Sequence, residues 1–183
     1  REALVSNVFN MELRAQQEWS WLLALWLFFG GSGGGLFLLF LAFDLAPLYA
    51  ALSLGFIMVG GVILLLELGN PLRVWRAIFR PNTSWLSRGV IFVLLFGVST
   101  VLSVGPRIEM LSWLSPFANK VSVQLFSWVA GLCTLMIILY PAFFFRSTSR
   151  AIPFWSSPVL PLIFVGYALL GGVGVVLLLT PYS

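Results

Sequence analysis

Glu67 closes a long apolar run, Leu64-Leu65-Leu66-Glu67-Leu68-Gly69. A carboxylate there has two readings. It is an interfacial group capped by Arg73 or Arg76, or it handles protons, because partial burial of a carboxyl favours its protonated form. Other polar groups gather at span ends on the same side. Glu18, Trp19, Ser20 and Trp21 open the first apolar run, Arg88 opens the third, and Tyr140 lies near the end of the fourth. A Tyr hydroxyl can donate a hydrogen bond to a carbonyl, and a Trp indole supplies a flat apolar wall and a donor. Together these groups could hold a planar redox lipid. Aromatic residues also line ordinary membrane interfaces, so the bland reading stands beside the chemical one. Asp44, beside Pro47, reads mainly as a turn residue.

The elements that must position these groups are membrane helices. Of the 183 residues, 60% are hydrophobic and 9% charged, against about 25% charged in a typical globular chain. Such a chain cannot build a soluble surface. Ten basic residues spread over short loops form no nucleic-acid-binding face. A single cysteine, Cys133, and the lack of histidine exclude disulfide scaffolds, Cys/His zinc sites, thiolate-held iron–sulfur clusters and His-ligated haem. The first 18 residues lack the apolar core of a signal peptide.

A membrane helix needs about 20 mostly apolar residues. Five segments qualify: Trp19 to Phe43, Leu48 to Leu68, Gly89 to Val104, Val121 to Phe145, and Val159 to Leu179. The expected fold is all-α, with five transmembrane helices, the first four forming a bundle. The expected division is an N-terminal interfacial segment (1–18), a four-helix bundle (19–145), and a connector with the fifth helix (146–183). Between helices 2 and 3 the connector is amphipathic, with Arg73, Arg76 and Arg80 at helical spacing, and should lie along the interface. Met110 to Leu114 reads as a second surface helix. Glycines at 30, 31 and 33–35 in span 1, at 60 and 61 in span 2, and at 171, 172 and 174 in span 5 read as helix-packing positions. No Lys follows the first group, so it is not a phosphate loop.

With five spans, the N-terminus and the 2–3 and 4–5 connectors share one face. That face carries Arg1, Arg14, Arg73, Arg76, Arg80, Arg88, Arg146 and Arg150; the other carries Arg107 and Lys120. The positive-inside rule puts the basic face in the cytoplasm. Basic connectors can instead dock a partner subunit, with Trp75 flanking the arginine stripe.

The run Glu67-Leu68-Gly69-Asn70-Pro71-Leu72-Arg73-Val74-Trp75-Arg76, followed by Thr83-Ser84-Trp85-Leu86-Ser87-Arg88-Gly89, resembles the connector of the NrfD-like family. That family supplies the membrane subunit of polysulfide reductase and related molybdopterin oxidoreductases. Phe28-Phe29-Gly30-Gly31-Ser32-Gly33-Gly34-Gly35 is similar to its glycine-rich first helix. The stretch from Tyr140-Pro141-Ala142-Phe143 through Ile152 to Pro161 resembles the part that joins its fourth and fifth helices. The three matches fall in the family's order and together cover most of the chain.

The resemblance implies a quinone or quinol site (menaquinone or ubiquinone) within the first four helices, with no haem or metal in this chain. It also implies an iron–sulfur partner subunit and a catalytic subunit with a molybdenum or tungsten pterin, at a prokaryotic inner membrane. Residue by residue, Glu67 falls where the family often has His or Glu, and Tyr140 falls at a position implicated in quinone contact. Pro141 departs from the small residue common there. On this resemblance Glu67 would relay protons, and Tyr140 with Trp19 or Trp21 would position the headgroup. Arg73 and Arg88 would orient carboxylates or anchor the partner. Arg73, Trp75, Arg76 and Arg80 would form a docking surface. Family members usually have more helices than five, so the chain is a reduced member or the sequence lacks a C-terminal portion. A purely structural anchor and a small transporter are the alternatives; the near absence of ionisable residues in mid-span weighs against transport.

Overall fold

The computed structural model describes residues 21–67, 85–117, 119–148 and 157–180. Five long helices follow one another: α1 (Trp21–Phe43), α2 (Pro47–Glu67), α3 (Trp85–Val104), α4 (Lys120–Thr148) and α5 (Leu160–Leu179). Each is long and apolar enough to cross a membrane. A helix satisfies its own backbone groups, and about 20 residues at about 1.5 Å each match the hydrocarbon thickness. The architecture is therefore a multi-pass, all-α membrane fold.

The turns are built locally. Asp44 ends α1 at a positive φ of 45°, and the Leu45 N–H donates to the Phe40 carbonyl at 3.2 Å. A short polar residue tolerates this left-handed conformation, and the bond closes the helix end as in a Schellman cap. Pro47 then starts α2, where a missing N–H costs nothing. After α3 the chain forms two 3₁₀ segments, Gly105–Arg107 and Glu109–Phe117. The expected surface helix at Met110–Leu114 thus takes a tighter winding, interrupted at Leu111 (φ −113°, ψ 18°). Asn119 caps α4, accepting from the Ser122 N–H at 2.8 Å.

The glycines of α1 set the packing. α1 packs broadly on α2 and α5 and also meets α4; α3 packs mainly on α4 and more lightly on α2. Successive helical residues point about 100° apart, so three adjacent glycines serve three neighbours. A methyl group on Gly33 would lie 2.8 Å from Phe56 on α2, and one on Gly34 would lie 2.7 Å from Ile138 on α4. On Gly35 it would run into the backbone carbonyl of Ala168 on α5. Gly172 of α5 returns the contact against Gly35 and Leu36, and Gly171 packs on Ser32. Such approach maximises dispersion contact where no hydrophobic drive separates helix from lipid. Ser53 of α2 donates a buried hydrogen bond to the Gly33 carbonyl at 2.6 Å. Phe37, Phe40, Ile57, Phe96 and Cys133 fill the middle of the bundle.

Candidate functional site

The alternating helices put the start of α1 and α3 and the end of α2 and α4 at one end of the bundle. There Trp26 of α1 and Tyr140 of α4 meet edge to face, ring centroids 6.0 Å apart. Phe144, one turn after Tyr140, stacks on it at 5.8 Å and meets Trp26 at 6.4 Å. Phe145 and Phe164 extend the group toward α5. Edge-to-face and offset pairs of this kind fix ring orientation.

Beside these rings lies a cavity of about 170 Å³. Trp26 and Gly30 of α1, Leu64 of α2, Gly89 and Val93 of α3, and Tyr140 of α4 are among its lining residues. An apolar cavity of about 150 Å³ holds a benzene ring, so this one takes a single six-membered ring. Gly89 is what lets α3 approach Tyr140, because a methyl group there would sit 3.0 Å from the ring carbon that bears the hydroxyl.

Tyr140 is buried, and its hydroxyl has no hydrogen-bond partner among the described residues. A buried hydroxyl left unpaired costs about 1–3 kcal/mol, so it calls for an explanation. A ligand with a carbonyl oxygen in the cavity would supply the missing acceptor. Pro141 adds a second polar feature. It lies inside α4 and has no N–H, so the carbonyl of Ile137, a cavity-lining residue, lacks its usual donor four residues on.

The other sequence-predicted site residues fall in different places. Trp21 is the first residue of α1 and is 71% exposed, away from the cavity lining. Arg88 is half-buried in the first turn of α3, one residue from Gly89. Glu67 is the last residue of α2, on the same end of the bundle, and its side chain lies outside the described set. Trp19, Arg73, Trp75, Arg76 and Arg80 lie outside the described residues. The tryptophan that meets Tyr140 is Trp26, which the sequence reading did not single out. Depth is the signal that finds it. Tyr140 lies six residues from Arg146, and Trp26 lies five from Trp21, where α1 begins. At about 1.5 Å per residue both rings sit about 8–9 Å inside their spans.

Comparison with known proteins gives one result. The sequence pattern of the family described as "Polysulphide reductase, NrfD" matches residues 9–183. No curated protein and no solved structure gives a significant match.

Proposed function

The chain belongs to the polysulphide reductase NrfD family, and on that premise we propose that it exchanges electrons with quinone as the membrane subunit of an oxidoreductase complex. The observation that carries this reading is the buried hydroxyl of Tyr140, unpaired among the described residues, on a cavity sized for one ring. The lining is nearly all apolar, as a lipid-soluble headgroup requires.

A bound quinone supplies exchange of two electrons and two protons. The residues of this chain bind and orient it. The Tyr140 hydroxyl donates to a carbonyl oxygen of the ring, or accepts from the hydroxyl of the reduced form. Trp26 forms an aromatic wall, and the open contact between α2 and α3 gives a side entrance from lipid. Glu67, at the same end of α2, relays protons between the cavity and water. Arg88, with Trp19 and Trp21, lines the approach. Within the division 1–18, 19–145 and 146–183, the second part holds the site. Arg73, Trp75, Arg76 and Arg80 dock an iron–sulfur subunit, which connects to a molybdenum or tungsten pterin subunit. The setting is a prokaryotic inner membrane, and the quinone is ubiquinone, whose single ring fits the cavity, or menaquinone, whose second fused ring would extend out of the cavity toward lipid.

Photolabelling tests the reading. An azido-quinone added to the purified complex should label peptides around Trp26, Gly89 and Tyr140, and excess quinone should suppress the labelling. Labelling spread evenly over lipid-facing residues such as Leu170 and Leu178 would refute the site.

A further inference from the structure

The far end of the bundle carries a different kind of site. Asp44 after α1, Arg107 after α3 and Lys120 at the start of α4 surround a groove of about 640 Å³. Gln124 and Ser127 continue it along α4, because positions 120, 124 and 127 share one helix face. Beyond them the lining turns apolar, with Leu41 on α1 and the 71% exposed Trp128 on α4.

Charge decides what suits this groove. Among the described lining residues, Arg107 and Lys120 against Asp44 give a net charge of +1 at the mouth. The Arg107–Asp44 pair is 3.9 Å long, and Asp44 is 93% exposed. An exposed pair at that distance contributes little, so the guanidinium can turn to a better acceptor. The start of α4, a helix of 29 residues, adds the positive end of its dipole beside Lys120. A phosphodiester carries one negative charge and offers the paired oxygens an Arg fork fits. The polar mouth and apolar floor then match headgroup and acyl chain in sequence, which a free anion would not use.

We propose that this groove binds an anionic phospholipid, with its phosphate between Arg107 and Lys120 and an acyl chain along Leu41 and Trp128. The site is separate from the quinone cavity and does not rest on that reading.

The test uses phosphatidylglycerol with a photoreactive group in its acyl chain. The protein, with any subunits that co-purify, is placed in phosphatidylcholine nanodiscs containing this probe. Cross-links should map to the peptides carrying Leu41 and Trp128. A phosphatidylcholine probe with the same chain should label them more weakly. Each basic side chain near a membrane surface is worth about fivefold in attraction for anionic lipid. Arg107→Gln with Lys120→Gln should therefore lower the labelling about thirtyfold, with helix content by circular dichroism unchanged. Asp44→Asn should raise it by less than about fivefold, since Asn keeps the left-handed turn and removes the weakly competing carboxylate. That gain keeps the test decisive if the double variant folds poorly. Equal labelling by both probes, unchanged labelling in Asp44→Asn, or displacement by inorganic phosphate would overturn the proposal.

Discussion

Removing one oxygen from Tyr140 should change stability and turnover in opposite directions. Among the described residues the hydroxyl is buried without a partner, so without a ligand its dehydration is uncompensated. Tyr140→Phe keeps the ring against Trp26 and Gly89 and removes that cost, about 1–3 kcal/mol. Thermal unfolding in detergent without quinone should therefore move upward. With quinone bound, the same oxygen makes a hydrogen bond worth about 0.5–1.5 kcal/mol net. Its loss should lower kcat/KM for quinol about two- to tenfold. The stabilisation that saturating quinone gives to the wild type should also shrink. Activity of the complex with a soluble artificial donor should stay the same, because that route bypasses the cavity. A variant that is less stable without quinone, yet keeps its quinol kinetics, would show that the hydroxyl has an internal partner and no ligand.

Four further outcomes are expected. Glu67→Gln should assemble normally and slow quinol-linked turnover while sparing the soluble-donor reaction; equal retention of both would remove the proton-relay role. Gly35→Ala should lower unfolding stability by about 3 kcal/mol, because the new methyl meets the Ala168 backbone and no side chain can yield. Gly166→Ala has open space around it and should be neutral or stabilising by about 0.5–1 kcal/mol; similar losses in both variants would refute the packing argument. Replacing Arg73, Arg76 and Arg80 with Gln should abolish co-purification of the hydrophilic subunit while leaving the chain inserted, whereas the Lys triple variant should weaken docking and keep lipid attraction. A reporter fused after Ser183 should read non-cytoplasmic by the charge rule, and a cytoplasmic readout from an inserted fusion would reverse the orientation.

The helices were legible because hydropathy alone sets them. Each observed helix overlaps its expected span, and the largest boundary difference is in α3. It begins at Trp85 rather than Gly89, because Arg88 sits inside the first turn instead of stopping the helix. A long arginine can reach the interface from there. Tyr140 was legible as a polar aromatic near a span end. Trp26 was not, because α1 is apolar on all sides and periodicity cannot tell its inward face from its outward one. The cavity was equally hidden. It depends on Gly89 facing Tyr140, a pairing between residues 51 positions apart. The surface segment after α3 is helical as expected but winds as 3₁₀, since Pro106 and Pro116 bracket a stretch too short to settle into an α-helix.

On the proposed quinone reading, the three glycine contacts of α1 would also bear on how fast electrons move. Gly33, Gly34 and Gly35 seat that helix closely against three neighbours, Gly35 directly against backbone, so rolling or sliding it would disturb all three seams. Packed elements of this kind shift between discrete arrangements or stay still. Trp26 and Gly30 ride on the same helix and form one wall of the cavity. A ring held against that wall would keep a constant position within the bundle, and so toward a partner docked rigidly on it. Tunnelling rates fall exponentially with distance, so mechanical stiffness becomes constancy of rate. If the proposed quinone reading holds, the glycine run would act as a spacer that fixes where the ring sits in the bundle.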